Sequence, residues 1–267
     1  MLKAAGGYAD ARSGPSGPHP PHMDTLTLAS SRPDTALVPE TTTPPGTTPR
    51  RSRVRVIMEA VRAAFVGLVA FLVIGNLLIL AMHAGARSSS VPAPVSMVGV
   101  GKLQAVDGHV WRGAAPSRLG YIELAASGVE TIVDLRAEEH LQVDQELIDR
   151  LGMRRVHMPI RDGQIPTAEQ VAAFKEIVDR SRGPVFVHCG AGVGRTGSMA
   201  AAYLVTTGQA DGWTALRRNL AVGPPSLEQV AFAAGLEGDG YTKPKAMVVA
   251  VSRFLDAPRR LWSKYGL

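Results

Sequence analysis

The longest apolar stretch of the chain is a run of 20 residues without a charged side chain, from Ala63 to Met82. A helix of this length rises about 30 Å, which is the thickness of the hydrocarbon layer of a bilayer. The run is apolar all round, whereas a core helix of a soluble domain usually has a polar face. The pattern predicts a transmembrane helix over residues 63–82, and a buried core helix is the weaker interpretation.

The segments on either side of this run have a different composition. Residues 1–62 are rich in Pro, Gly, Thr and Ser and end in a basic cluster, and residues 83–97 contain a run of three serines and two prolines. A segment with few large apolar residues cannot offset the entropy of ordering its backbone. We therefore expect a disordered tail with a basic membrane flank over 1–62 and a linker over 83–97.

The arginines around the apolar run suggest an orientation. Only Arg87 and Lys102 follow the run within about 20 residues, whereas a cluster precedes it. The cluster comprises Arg50, Arg51, Arg53, Arg55 and Arg62. The positive-inside rule predicts a cytoplasmic N-terminus and an extracytoplasmic C-terminal domain.

A cleaved secretory signal is the alternative to this uncleaved anchor. It would start at Met58 and end at the small residues 84–86. The apolar run is longer than the 7 to about 15 residues that are usual for a signal, which favours the anchor.

Beyond residue 97 the apolar pattern changes to short β-branched runs that alternate with amphipathic segments. Strands are predicted over 108–112, 131–135, 155–160 and 184–188, and helices over 117–126, over 138–151 and after Thr167. Thr167 and Gln170 form a capping-box signature. The alternation predicts an α/β domain over residues 98–236, with a central, mainly parallel sheet flanked by helices. Ligands of such sheets bind beyond the carboxyl ends of the strands.

Residues 237–267 follow this domain as a separate extension. Apolar and basic residues recur from Pro244 to Lys264, with an interruption at Pro258. The pattern predicts a helical extension that packs on the domain. A position on the membrane surface is the alternative.

Composition narrows the possible functions of the 267 residues. Residues 1–87 hold nine basic and five acidic residues, and the remainder holds 20 and 18. The excess of positive charge therefore lies by the apolar run, so nucleic acid is not expected as a partner. The single cysteine excludes an internal disulfide and a multi-cysteine metal cage, and the histidines have no metal-ligand spacing.

One run of residues carries recognisable chemistry. Cys189 ends a predicted strand, and Arg195 and Thr196 follow it after five intervening residues. The glycines allow a tight turn whose N–H groups point inward and bind an anion, and the helix that starts near Arg195 adds the positive end of its dipole. We expect a thiol shifted towards the thiolate and a guanidinium that holds two phosphate oxygens. An ordinary buried cysteine beside a turn is the alternative. The expected phosphate-binding residues are Gly190, Ala191, Gly192, Val193, Gly194 and Arg195.

Cleavage of a phosphoester also needs a proton donor for the departing oxygen. Asp162 follows the 155–160 strand and precedes the capped helix, so we expect it on the same rim as Cys189, with a solvated turn aspartate as the alternative. Thr196 is a candidate hydrogen-bond donor to the thiolate. His188 is expected to hold the loop by a local hydrogen bond.

The run 187–197 resembles the active-site signature of cysteine-dependent protein tyrosine phosphatases, with Gly190 where those enzymes usually carry serine. The domain is similar in length to dual-specificity phosphatases, and segments 111–117 and 131–136 resemble compact bacterial and fungal members. The resemblance implies catalysis without a cofactor or metal. It implies a general acid in the loop that holds Asp162, although the family's Trp-Pro-Asp form is missing. It also places Gln229 where some members have a water-orienting glutamine, with an ordinary helix-surface glutamine as the alternative.

The resulting prediction is a membrane-anchored phosphatase that forms a phosphocysteine intermediate. The partners expected are the membrane and a phosphorylated protein or small phosphomonoester. Phosphotyrosine-type esters are favoured because no lysine lies between Cys189 and Arg195. Inositol phosphates or phosphoinositides are the alternative substrates. Sulfur transfer and a non-catalytic phosphate-binding module are the alternative functions.

Overall fold

The computed structural model describes residues 52–88, 96–138, 144–238 and 241–257. Three predicted segments lie partly outside these ranges. They are the disordered tail over 1–62, of which residues 1–51 are not described, the linker over 83–97 and the C-terminal extension over 237–267. Residues 139–143, which belong to the helix predicted over 138–151, also lie outside them.

The first helix, α1, is longer than the apolar run and spans Arg53–Arg87. Residues 53–62 and 83–87, which we assigned to the basic tail and the linker, are therefore helical. The side chain of Ser52 caps the helix by accepting a hydrogen bond from the N–H of Arg55 at 3.3 Å, and no proline interrupts the flanking residues. Within the described ranges, α1 is the one helix that is long and apolar enough to cross a membrane.

A five-stranded sheet forms the centre of the domain. Its strands are β1 (Gln104–Ala105), β2 (Val110–Ala114), β3 (Thr131–Arg136), β4 (Arg154–Ile160) and β5 (Val185–Cys189), in the order β1-β2-β5-β3-β4. Strands β2, β5, β3 and β4 are parallel, and β1 pairs antiparallel with β2. The mainly parallel sheet predicted from the sequence is confirmed, and the short edge strand β1 was not predicted.

Helices cover both faces of the sheet and create two hydrophobic cores. Side chains of β5 alternate between them: Val185, Val187 and Cys189 belong to one core and Phe186 to the other. The helices are α2 (Arg118–Ala126), α3 (Gln145–Arg150), α4 (Ala168–Arg180), α5 (Gly194–Thr206), α6 (Gly212–Val222), α7 (Leu227–Ala234) and α8 (Ala246–Leu255). The capping box at the start of α4 is present as predicted.

Helix α3 begins later than the sequence pattern suggested. It starts at Gln145 because the carboxylate of Asp144 accepts a hydrogen bond from the N–H of Leu147 and so caps the helix there. Glu138, the first residue of the predicted helix, lies outside α3.

Both ends of the described chain pack on the domain. At the end of α1, Ala86 is buried in the larger core, and the ring of His83 lies within hydrogen-bond distance of the carbonyl of Leu220 in α6. Helix α8 packs on α7, and Ser252 is buried between them. Helix α8 covers part of the predicted extension, and its packing on the domain is the arrangement that we favoured.

Candidate active site

The cysteine loop, residues 189–195, joins β5 to α5 at the carboxyl edge of the sheet. Its carbonyl groups turn away from the loop centre: that of Gly190 accepts from the N–H of Ala115 at 3.1 Å, and that of Gly192 accepts from Arg112 at 2.8 Å. Helix α5 begins at Gly194 and has no side-chain cap. The first N–H groups of a helix have no intrahelical acceptor, so those at the start of α5 are suited to an anion.

Two glycines of the cysteine loop have different steric requirements. Gly192 has a φ of +70°, and a Cβ there would lie 2.4 Å from the N of Ala114, so the position excludes other residues. A Cβ at Gly190 would meet only Nη2 of Arg195, at 3.8 Å. A small side chain such as serine would therefore fit at position 190.

Arg112 supports the cysteine loop from below. Its Nη2 donates to the carbonyls of Gly192 at 2.8 Å and Val193 at 3.2 Å and to Oδ1 of Asn219 at 3.1 Å. Burial lowers the pKa of Arg112 to about 10 and the negative charge of Cys189 opposes this effect, so the guanidinium stays charged at neutral pH. Sequence reasoning missed Arg112 and Asn219 as a support. The signal in the sequence was the position of Arg112 in a predicted strand, where a charged side chain is unusual.

Arg195 lies between the cysteine loop and the carboxyl ends of β3 and β4. Its Nη1 donates to Oε2 of Glu138 at 2.8 Å and to the carbonyl of Ile160 at 3.1 Å, while Nη2 lies 3.5 Å from Oδ1 of Asp162. Its buried Nε has no hydrogen-bond partner in the described part of the chain. Burial lowers the pKa of Arg195, but the hydrogen bond to Glu138 and the negative charges of Cys189 and Asp162 outweigh it and raise the pKa overall.

Glu138 orients Arg195 and was not identified from the sequence. The sequence pattern assigned Glu138 to the helix predicted over 138–151. Its position two residues after β3 was the available signal, because side chains at that point of a parallel sheet lie on the ligand-binding edge. One side of the guanidinium is therefore held by Glu138 and the Ile160 carbonyl, and the Nε–Nη2 side lies towards Gly190 and Asp162.

Asp162 lies in the aspartate loop, residues 161–166, between β4 and α4. Its side chain is half-buried and reaches the same arginine that follows Cys189. The backbone of the loop is held by α7 and the turn before it: Ser226 donates to the carbonyl of Gly163 at 2.8 Å, and Gln229 donates to that of Gln164 at 2.9 Å. The aspartate and the cysteine loop thus share one rim, as the sequence suggested.

Gln229 is not a surface residue, because only 1% of it is exposed. Its Oε1 accepts from the N–H of Ser226 in a second capping box, and its Nε2 donates to the aspartate loop. A Cβ at Gly194 would lie 2.5 Å from Oε1 of Gln229. The glutamine therefore contacts both loops, and its amide is engaged in holding the backbone.

His188 and Thr196 are buried beside the cysteine. Burial lowers the pKa of His188 to about 4 although Asp134 opposes this, so the ring is neutral at neutral pH. Its Nδ1 lies 3.3 Å from the carbonyl of Cys189, which is the local hydrogen bond expected for it. Asp134 pairs with Arg136 and Arg155, each at 2.8 Å, behind the ring. The hydroxyl of Thr196 has no partner among the described residues and remains available to a neighbouring anion.

Comparison with known proteins identifies the family of this domain. Residues 97–235 match the family model described as "DSP-PTPase phosphatase fused to NAD+ Kinase". The chain belongs to this phosphatase family.

Curated relatives include phosphatases and kinases of greater length. The chain is 37% identical over 95 residues to "Probable NAD kinase 2, chloroplastic" of Oryza sativa, which covers 33% of this chain and 10% of the relative. It is 34% identical over 102 residues to "Tyrosine-protein phosphatase cdc-14" of Caenorhabditis elegans, which covers 36% and 14%. The chain thus spans a small part of these relatives.

A solved structure with similarity to the chain is the core catalytic domain of the PP-IP phosphatase SIW14 from S. cerevisiae in complex with citrate. The sequences are 16% identical with a TM-score of 0.46, and the match covers 62% of this chain and 97% of that one.

The structure of this phosphatase-family domain brings most of the candidate residues together at one edge of the sheet. Arg195 links Asp162 to the cysteine loop, and Gln229 lies against both loops. Within the described ranges, no group of three or more His, Cys, Asp or Glu residues is placed to hold a metal ion.

Proposed function

We propose that this phosphatase hydrolyses phosphotyrosine, and also phosphoserine and phosphothreonine, through a phosphocysteine intermediate. The observation that supports the proposal best is the orientation of Arg195. Glu138 and the Ile160 carbonyl occupy its Nη1, and its buried Nε has no partner among the described residues, beside the amide donors of the cysteine loop. A guanidinium edge and a helix N-terminus in the same loop suit a phosphoryl group with three equatorial oxygens.

In the first step the thiolate of Cys189 attacks phosphorus, so that the S–P bond forms as the bond to the leaving oxygen breaks. The protonated carboxyl of Asp162 gives its proton to that oxygen. The amides of residues 190–195 and the guanidinium of Arg195 bind the equatorial oxygens, whose charge changes most in the transition state.

In the second step a water molecule attacks the phosphocysteine and gives a proton to the carboxylate of Asp162. The S–P bond breaks, the thiolate returns and phosphate leaves. The hydroxyl of Thr196, which has no partner among the described residues, suits a hydrogen bond to the returning thiolate.

The cysteine loop also bears on the class of substrate. The five residues between Cys189 and Arg195 are glycine, alanine and valine, and none of them carries an ammonium group. A substrate with several phosphates would gain from additional cations in the loop. We therefore favour protein phosphomonoesters over inositol phosphates and phosphoinositides.

Helix α1 is proposed to anchor the enzyme in a membrane with the N-terminus in the cytoplasm and the phosphatase domain outside it. The exposed apolar surface of α1 supports a membrane span, and the arginines that precede the apolar run over residues 63–82 support this orientation. A reporter enzyme that is active only outside the cytoplasm, fused after Leu267, tests it. We expect an active fusion, and an inactive one would reverse the orientation.

The mechanism is tested with the full chain purified in detergent. We expect Cys189→Ser to abolish turnover of p-nitrophenyl phosphate. Asp162→Asn should lose at least about tenfold on phosphoserine peptides and much less on p-nitrophenyl phosphate, whose leaving group needs little protonation. Turnover by Cys189→Ser at the normal rate would contradict the mechanism. Phosphopeptide binding without turnover by the unmodified chain would favour a binding module instead.

A further inference from the structure

The segment after α7, residues 241–257, contacts the aspartate loop although it lies outside the range that matches the phosphatase family. The hydroxyl of Tyr241 donates a hydrogen bond to the carbonyl of Pro166, the last residue of that loop. Burial raises the pKa of Tyr241, so the hydroxyl remains a proton donor at neutral pH. The ring packs on Phe232 of α7, with 5.3 Å between centroids.

Helix α8 fixes this segment to the start of α7. The hydroxyl of Ser252, which is 1% exposed, accepts from the N–H of Glu228 at 2.9 Å and donates to Asp256 at 3.3 Å. Nε of Arg253 lies 3.3 Å from the carboxylate of Glu228, which is itself buried. Because an unpaired buried carboxylate is costly, α8 supplies a charge partner that Glu228 needs.

Three carbonyl groups of the aspartate loop therefore accept hydrogen bonds from side chains that follow it by 60 residues or more. Ser226 binds Gly163, Gln229 binds Gln164 and Tyr241 binds Pro166. The three carbonyls belong to residues that follow Asp162 within four positions of the chain. A displacement of about 1 Å can lower a reaction rate a hundredfold when it moves a group that must meet the reacting atoms.

We propose that residues 241–257 are a brace that sets the position of Asp162 for proton transfer, with Tyr241 as a positioning residue and the Glu228–Ser252–Arg253 contact as its attachment. This inference rests on the proposed function of Asp162. It extends the catalytic unit to the end of α8. The brace contacts the aspartate loop through the carbonyl of Pro166.

The test is Tyr241→Phe in the full chain, which removes one hydroxyl and keeps the ring on Phe232. We expect kcat for phenyl phosphate, a poor leaving group, to fall about fivefold, and kcat for p-nitrophenyl phosphate to change less than twofold, because loss of a general acid matters most for poor leaving groups. Tyr203→Phe is the matched control. Its hydroxyl interacts with Asp107 and Gln209, away from the aspartate loop, so both rates should stay normal.

A double mutant separates positioning from a general structural effect. In an Asp162→Asn background, Tyr241→Phe should cause no further loss on phenyl phosphate, because the group that it positions is already absent. Ser252→Ala is the second variant and should cause about a twofold loss with the same leaving-group dependence.

The proposal is wrong if Tyr241→Phe and Ser252→Ala both leave the turnover of phenyl phosphate normal. It is also wrong if both variants lower the turnover of phenyl phosphate and of p-nitrophenyl phosphate equally, or if their losses add fully to the loss caused by Asp162→Asn. Those results would leave the phosphocysteine mechanism intact. A normal rate in Cys189→Ser would instead remove the mechanism itself, so the two failures are distinguishable.

Discussion

The cysteine loop and the aspartate loop follow strands β5 and β4, which lie on either side of β3 in the sheet, yet the two loops are held in different ways. The cysteine loop takes its shape from glycines within it and from the buried Arg112, which binds its carbonyls. The aspartate loop takes its shape from neutral side chains at positions 226, 229 and 241. The loop of the proposed nucleophile thus depends on its own glycines and one buried arginine, whereas the loop of the proposed proton donor is held by side chains 63 to 75 residues further along the chain.

The two kinds of support differ in strength. A hydrogen bond from a charged donor contributes about 1.5 to 3 kcal/mol, and one between neutral groups contributes about 1 kcal/mol. Damage to the cysteine loop should therefore affect all substrates and also the stability of the fold. Damage to the aspartate loop should affect substrates selectively, with little cost in stability.

Among the residues that hold the two loops, the largest effect is expected from Arg112→Met. It removes the donor for Gly192, Val193 and Asn219, so the free energy of unfolding should fall by about 3 kcal/mol. We expect kcat to fall about a hundredfold or more on both phenyl and p-nitrophenyl phosphate, because amide donors of the loop lose their alignment. Arg112→Lys keeps the charge without the planar fork and should be intermediate. If the Arg112→Met variant were as active as the wild-type enzyme, the cysteine loop would not need the hydrogen bonds from Arg112.

Gly192→Ala should come next. The residue has a φ of +70° and a Cβ would meet the backbone of Ala114, so we expect a loss of about 3 kcal/mol and a marked loss of activity. Gly208 has the same φ of +70° with nothing within 4 Å of a Cβ. Gly208→Ala should therefore cost only about 1 kcal/mol and leave activity normal. Denaturant titration compares them, and equal losses would mean that the close approach at Gly192 is unimportant.

Gln229→Ala tests the aspartate loop. We expect about a tenfold loss on phenyl phosphate and a much smaller one on p-nitrophenyl phosphate, since the proton donor is displaced while the nucleophile stays. Gln170→Ala is the matched control, because Gln170 closes the capping box of α4 and binds Pro159 instead of the aspartate loop. Equal losses on both substrates would place the main role of Gln229 in the cysteine loop.

The smallest effect concerns His188 and pH. Its pKa falls from an ordinary 6.5 to about 4 on folding, so the unfolded chain takes up a proton first as the pH decreases. Its stabilising contribution is complete above pH 6.5 and is lost progressively between pH 6.5 and 4, by about 1 kcal/mol at pH 5.5. Denaturant titration at pH 7.5, 6.5 and 5.5 measures the loss of unfolding free energy. In His188→Gln, the part of this loss that comes from the histidine should be absent. An unchanged pH dependence in that variant would exclude His188 as the cause.

Periodicity was a good guide to the core of the domain and a poorer guide to its margins. The parallel sheet and the capping box at Thr167 follow from short apolar runs and cap residues that act locally. Helix α1 extends beyond the predicted span over 63–82 at both ends, and α3 begins later than predicted. Ser52 and Asp144 cap the N-terminal ends of these helices through single hydrogen bonds that hydrophobic patterns do not reveal. Glu138 was missed because its partner, Arg195, is 57 residues away in the chain.

The sequence by itself predicted the cysteine loop, because the proposed nucleophile Cys189, the glycines and Arg195 are contiguous and lie in one turn of backbone. It also determined the candidate position of Asp162, since the ends of parallel strands meet at one edge. Only the tertiary structure decided what orients these groups: Glu138 on Arg195, Arg112 beneath the loop, and Tyr241 and Gln229 on the aspartate loop. Such contacts join residues far apart in the chain, and no local pattern of hydrophobic or polar residues specifies which of them will meet.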